Sequence, residues 1–171
     1  GSMFVVAHFH FMLMGAGLFA AIGAISYWFP KMTGRMLDER IGSIGFWTAF
    51  AGFQLTFGSM FVAGLQGMPR RVLQFDDASN WLSTIGAYII GIGMLIFLYA
   101  VITSWRHGVP ASSNPWGAKT LEWQTETPVP LENFPVLPVV TSDPYDYGVP
   151  DPLHVTYGDE PAEDDVTVGA R

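Results

Sequence analysis

Three long runs of apolar residues dominate the first 105 residues of this chain. They span residues 4–29, 41–65 and 81–105, and none contains a lysine, arginine, aspartate or glutamate. Each has about 25 residues, so as an α-helix it is about 38 Å long, enough to cross a bilayer with some tilt. No run alternates as a strand does or shows the polar face of a soluble helix. The pattern therefore predicts three transmembrane helices.

A secretory signal peptide is the competing interpretation of the first run. That interpretation is weak because the run lacks a basic N-terminal region and a small-residue cleavage site, and two more runs follow. The chain contains no cysteine, which excludes a disulfide framework and a cysteine-based zinc cluster.

Basic residues near the ends of the runs predict the orientation in the membrane, because cytoplasmic loops carry an excess of lysine and arginine. More of them lie in the first loop and after the third run than in the second loop. We therefore expect the first loop and the C-terminal tail in the cytoplasm, and the second loop outside. The inner residues are Lys31, Arg35, Arg40, Arg106 and Lys119, and the outer ones are Arg70 and Arg71.

The composition changes after the third run. Residues 106–171 hold ten of the twelve prolines, with eleven acidic and three basic side chains. Such a segment buries too little apolar surface to fold alone. We predict a membrane domain over residues 1–105 and a Pro-rich acidic cytoplasmic tail over 106–171. Within the tail, residues 137–153 are expected to be extended against a partner and 159–171 disordered. Negative charge disfavours a nucleic-acid partner.

Glycine recurs in all three runs. In lipid, small residues mark the faces where helices approach closely, so ordinary helix packing is the favoured interpretation. A small-residue wall beside a bulky cofactor is the alternative. The glycines concerned are Gly15, Gly17, Gly23, Gly45, Gly52, Gly58, Gly86, Gly91 and Gly93.

Two histidines, His8 and His10, stand one residue apart inside the first run. Ionisable groups at membrane depth are costly and indicate function. On a helix these positions are about 200° apart, whereas one ion would favour ligands three or four residues apart. The spacing therefore favours two separate metal centres, with Phe9 between them, and imidazole is a common ligand of haem iron. The alternative is a pair of neutral histidines used in packing or proton relay.

Several stretches of the chain resemble subunit I of haem–copper terminal oxidases. They are VVAHFHFMLMG at residues 5–15, WFPKMTGR, GLQGMPRR, and TLEW and PLENFP in the tail. The resemblance runs from residue 4 to about residue 140 and corresponds to the last three of twelve helices. It implies an all-α membrane protein whose three transmembrane helices belong to a twelve-helix bundle, with an extended, partly disordered acidic tail. The chain is then interpreted as a C-terminal fragment of subunit I.

The resemblance implies specific roles for five residues. His8 is the axial ligand of the high-spin haem, whose iron faces copper, and His10 is one of two axial ligands of the low-spin haem. Phe9 lies between the haems on the electron-transfer route. Arg70 and Arg71 contact haem propionates, which suits the planar guanidinium fork. The alternative for the arginines is a solvated loop pair.

The implied activity is four-electron reduction of oxygen to water, coupled to proton translocation, with two A-type haems and copper. The fragment alone is expected to be inactive, because the copper ligands and the second low-spin ligand lie in other helices. The expected partners are the rest of subunit I, other oxidase subunits and membrane lipid. The expected location is a prokaryotic plasma membrane, ahead of a mitochondrial inner membrane.

Cytochrome c is the expected electron donor, because Pro69 in GMPRR resembles cytochrome c oxidases, whereas related quinol oxidases often read GMTRR. A quinol oxidase is the alternative, and nitric oxide reductases match less well. The family often has a proline and a histidine within the stretch TFGSMFVAG, where this chain has neither, so no role is transferred to residues 56–64. A non-catalytic three-helix membrane protein is the alternative from another class.

Overall fold

The structure, a computed structural model, describes residues 1–73, 78–134, 136–140 and 155–157. Its three long helices are α1 (Met3–Thr33), α2 (Glu39–Leu65) and α3 (Ala78–His107). Each is long and apolar enough to cross a membrane, which confirms the predicted helical membrane fold. A short 3-10 helix (Leu121–Trp123) and two strands, β1 (Pro138–Val140) and β2 (Val155–Tyr157), follow in the tail.

Polar residues and glycines set the helix ends. The Asp38 carboxylate caps α2 by accepting hydrogen bonds of 3.0 Å from the backbone nitrogens of Arg40 and Ile41. Gly34 follows α1 and Gly67 follows α2, with φ angles of 72° and 96° that suit glycine in a helix-ending turn. The helices therefore extend to these capping residues and beyond the apolar runs.

Helices α2 and α3 pack through glycines. A methyl group on Gly52 would lie 2.6 Å from the backbone nitrogen of Ile90, and one on Gly45 would lie 2.8 Å from that of Phe97. Gly86 and Gly93 lie in the same interface. The packing interpretation is therefore confirmed for these four glycines. Among the other glycines of the three apolar runs, a methyl group would meet no described atom within 4 Å at Gly17, Gly23, Gly58 and Gly91.

Two buried hydroxyl groups meet across the same interface. The Oγ atoms of Ser59 and Ser83 are 2.6 Å apart, and each also lies within hydrogen-bond distance of a carbonyl of its own helix, at 3.0 and 2.9 Å. A hydroxyl has one proton, so a bond between the two serines costs one of them its bond to the backbone. The interface therefore depends more on close backbone packing than on this polar contact.

Helices α1 and α2 pack through phenylalanines. The ring centroids lie between 4.8 and 6.5 Å apart, mostly in tilted or edge-to-face geometry. This aromatic interface contains Phe4, Phe11 and Phe19 from α1, and Phe46, Phe50, Phe53, Phe57 and Phe61 from α2.

The chain forms two compact units. The helical unit comprises Gly1–Phe29 and Arg35–Pro110, and the tail unit comprises Pro30–Gly34 and Ala111–Arg171. The predicted division at residue 106 assigns the end of α1 to the membrane domain, whereas the structure groups residues 30–34 with the tail.

Each end of the helical unit contains one backbone bridge between segments that are distant in sequence. At one end Ser2 pairs with Pro69, so the start of α1 lies beside the loop that follows α2. At the other end Arg35 pairs with Pro110, so the loop before α2 lies beside the segment that follows α3. The Arg35 guanidinium also donates a hydrogen bond of 2.6 Å to the carbonyl of Gly108.

Lys31 organises the tail unit. Its side chain is only 4% exposed, and Nζ donates to the backbone carbonyls of Thr125 and Glu126 and lies 5.5 Å from the centre of the Trp123 ring. The Lys31 carbonyl accepts a hydrogen bond of 3.1 Å from the backbone nitrogen of Val129. A buried ammonium group in the last turn of α1 thus gathers part of the tail around it.

The tail strands pair antiparallel, with Val139 opposite Thr156. The sequence did not predict this pair, although an extended backbone was expected over residues 137–153. Residues 141–154 and the predicted disordered stretch 159–171 lie outside the described residues.

Candidate functional site

His8 and His10 lie within the first three turns of α1 and on different sides of it. The side chain of His8 is exposed, whereas that of His10 is partly buried and packs on α2. His8 stands about 7.5 Å from the start of the helix along its axis, at about 1.5 Å per residue. In the described residues, the two imidazoles face different surroundings and do not contact each other.

The imidazole of His10 is fixed in one tautomer. Its Nδ1 lies 2.8 Å from the backbone carbonyl oxygen of Val6, four residues earlier. A carbonyl only accepts, so Nδ1 is the donor, and in the neutral imidazole the free lone pair is then on Nε2. The ring also contacts those of Phe9, with centroids 4.5 Å apart, and Phe57, at 4.8 Å. A neutral imidazole oriented by a backbone carbonyl is the form in which histidine binds metals.

The surroundings of His8 are apolar. Phe4 and Val5, one turn earlier, are 39% and 43% exposed, and Met12, one turn later, is 63% exposed. An exposed imidazole within such an apolar face fits an axial ligand of a broad, largely apolar group such as haem.

Arg70 and Arg71 lie at the same end of the helical unit as the two histidines. The backbone nitrogen of Arg70 donates a hydrogen bond of 2.9 Å to the carbonyl of Gly1, next to the start of α1. Arg71 has a φ angle of 65°, a left-handed conformation that is unfavourable for a residue with a side chain. Both side chains are exposed. The turn thus presents two guanidinium groups near the level where α1 begins.

In the described residues, no group of three or more histidine, cysteine, aspartate or glutamate side chains could hold a metal ion. A bare ion would require such a group. Haem supplies four nitrogen ligands of its own and requires only one or two from the protein, so isolated imidazoles fit haem better than a bare ion.

Sequence reasoning missed two contacts of the site. The Val6 carbonyl was predictable in principle, because it lies one helical turn before His10. The stacking of Phe57 on His10 had no signal, since Phe57 is one of thirteen phenylalanines and its partner depends on how α1 and α2 pair.

Comparison with known proteins identifies the family. Residues 1–120 match the family described as cytochrome C and quinol oxidase polypeptide I. The chain is 48% identical over 149 residues to cytochrome c oxidase subunit 1 of Thermostichus vulcanus, 46% over 149 residues to that of Synechocystis sp., and 42% over 149 residues to that of Corynebacterium glutamicum.

These alignments cover 85%, 85% and 83% of this chain but only 27%, 27% and 26% of the relatives. The chain therefore spans about a quarter of the length of the curated relatives that it matches. With its three membrane-length helices, the chain is an integral membrane protein, and the resemblance read from the motifs is confirmed. The chain belongs to the cytochrome c and quinol oxidase polypeptide I family.

Proposed function

We infer that the chain supplies the haem-ligating part of the catalytic subunit of a bacterial cytochrome c oxidase. The three relatives are named cytochrome c oxidase subunit 1, and all three are bacterial. The complete enzyme would reduce oxygen to water with four electrons and couple this reaction to proton translocation. The rest of the subunit and the other oxidase subunits would supply the copper ligands, the second low-spin ligand and the proton paths.

The observation that carries this proposal is the placement of the two imidazoles on different sides of one helix. His8 would be the axial ligand of the high-spin haem and His10 one of two axial ligands of the low-spin haem. Bound haem supplies an iron that is reduced and oxidised by one electron at a time. The chain's own part would be to hold the His10 ring by its Nδ1 atom, so that Nε2 is the nitrogen left for iron, and to place Phe9 between the two ligand positions.

The arginine pair would complete the site. Arg70 and Arg71 lie at the histidine end of the helical unit, which supports a role in which their guanidinium groups would meet propionate carboxylates near the outer membrane surface. A local anionic partner would also account for two arginines on the side where positive charge is disfavoured.

The proposed donor is cytochrome c and the proposed haems are of the A type. The relatives' name and Pro69 in GMPRR support this donor. The alternative, a quinol donor, stays open because the family includes quinol oxidases. The proposed orientation, with the tail in the cytoplasm, is supported by the distribution of basic residues.

Substituting each histidine in the complete oxidase tests the two-haem proposal. His8→Ala should abolish oxygen reduction and carbon monoxide binding while the low-spin haem spectrum persists. His10→Ala should remove the low-spin spectrum while the high-spin site still binds carbon monoxide. The same spectral defect in both variants would indicate one shared centre. Loss of stability with neither spectrum selectively changed would indicate the packing alternative.

A further inference from the structure

The imidazole of His10 has an unusual neighbour in the aromatic interface. The ring of Phe57 is nearly parallel to it, with an interplanar angle of 13° and centroids 4.8 Å apart. The other rings around Phe57 are tilted or edge-on, at 62° for Phe53 and 75° for Phe11. Among the described ring contacts of Phe57, the imidazole of His10 is therefore the one that stacks parallel to the phenyl ring.

Phe57 is itself held firmly. Its side chain is only 5% exposed, and the edge-on ring of Phe53 lies 5.1 Å away on the same helix. Side chains in such close-packed interiors occupy a single rotamer on the time average. The orientation of Phe57 is therefore a property of the packed helices, and its face is a fixed surface.

Two of the contacts of His10, those with Val6 and Phe57, restrict different motions of its ring. The hydrogen bond from Nδ1 to the Val6 carbonyl fixes the tautomer and one edge of the ring, but a single bond still permits the ring to rock about the bond axis. The stacked face of Phe57 opposes that rocking, because tilting the ring would bring it into the phenyl group. Together, one contact from α1 and one from α2 define the plane of the imidazole.

We propose that Phe57 is the positioning residue for the low-spin haem, setting the orientation of the His10 ring plane. This proposal rests on the proposed role of His10 as a haem ligand. The angle between axial imidazole planes changes the electronic splitting of low-spin ferric iron, so ligand orientation is visible in its paramagnetic spectrum. Groups that orient a metal ligand also tune its redox potential.

Phe57→Leu in the complete oxidase tests the proposal, because leucine keeps an apolar side chain but has no flat face. We expect both haems to be retained, with the g values of the low-spin signal shifted and the midpoint potential of that haem changed. Carbon monoxide binding at the high-spin site should be unchanged. Low-spin g values identical to those of the wild type would overturn the proposal.

Two further variants serve as controls. Phe61→Leu removes a ring from the same interface, where it contacts Phe4 and Phe11, and should leave the low-spin signal unchanged. Phe57→Tyr keeps the flat ring and should restore the wild-type g values. A shift of the low-spin g values in either control as large as that of Phe57→Leu would show that Phe57 acts only as an ordinary packing residue.

If Phe57→Leu does not assemble, Phe57→Met provides a flexible apolar substitute of similar length, with the same expected shift. His10→Ala distinguishes a failure of the ligand assignment of His10 from a failure of the positioning role of Phe57. A persistent low-spin signal in His10→Ala would reject the ligand assignment itself. Loss of that signal in His10→Ala, with no shift in Phe57→Leu or Phe57→Met, would reject the positioning role alone.

Discussion

Replacing Gly52 by alanine should loosen the contact between α2 and α3. The added methyl would lie 2.6 Å from the backbone nitrogen of Ile90 and 2.8 Å from the carbonyl oxygen of Gly86, whereas ordinary contacts begin at 3.4 Å. The helices would have to separate by about 0.8 Å, and a gap of that size forfeits roughly a quarter to a half of the attraction between facing atoms. Both obstacles are backbone atoms, so no side-chain rotation relieves them.

The expected cost combines two opposing terms. Overpacking of a close interface destabilises by about 1–3 kcal/mol. Alanine instead of glycine favours the helix by up to about 1 kcal/mol. Gly58→Ala is the matched control, because Gly58 lies on the same helix and its methyl would meet nothing within 4 Å in the described residues. The difference between the two variants cancels the helix-propensity term and should be about 1–3 kcal/mol.

The assay is the free energy of unfolding of the 171-residue chain in detergent micelles, followed by circular dichroism during titration with a denaturing detergent. Gly52→Ala should unfold earlier than the wild type, and Gly58→Ala at the same point or later. Equal free energies for the two variants would refute the close approach of α2 and α3 at Gly52.

Four further predictions concern polar groups and the orientation of the tail. Arg70→Leu should lower the haem midpoint potentials in the complete oxidase, because removing a nearby positive charge favours the oxidised iron. Potentiometric titration should show no such change for Arg106→Leu, because Arg106 lies in the last turn of α3, whereas Arg70 lies in the loop before that helix begins. Ser83→Ala should cost only about 0.6 kcal/mol in the detergent unfolding assay, and a loss above about 2 kcal/mol would contradict the minor role assigned to this contact. Lys31→Met should speed proteolysis within residues 111–134, because two tail carbonyls lose their donor at a cost of about 1–3 kcal/mol, and unchanged cleavage would show that the tail is held otherwise. Protease added outside sealed right-side-out vesicles should leave the tail intact, and cleavage there would reverse the predicted orientation.

Hydropathy was sufficient to predict the helices because a bilayer requires about 20 consecutive apolar residues whatever their neighbours are. It could not give the helix ends, since these depend on local capping by Asp38 and on glycines with positive φ, both of which lie outside the apolar runs. The glycine packing was predicted as a class. Which glycines face a neighbouring helix, such as Gly52, and which face open space, such as Gly58, depends on the rotation of each helix.

The histidine pair was predictable because helical geometry fixes the angle between positions two residues apart. The stacking contact on the ring of His10 was not predictable, because Phe57 lies on another helix and more than forty residues away in the chain. The burial of Lys31 was also hidden, since a lysine at the end of an apolar run ordinarily reaches toward water. Only the fold of the tail around it reveals its carbonyl partners.

The backbone pairing at both ends of the helical unit has a mechanical consequence for α1. A helix advances about 1.5 Å per residue, so sliding α1 along its axis by even one residue would break the pairing of Ser2 with Pro69 at one end and strain that of Arg35 with Pro110 at the other. The two ties restrain piston-like motion in both directions. The two ties therefore hold His8 and His10 at a fixed height along the axis of α1 relative to the loops that follow α2 and α3. If the two imidazoles bind haems as proposed, the distance between the haems would be set by this scaffold.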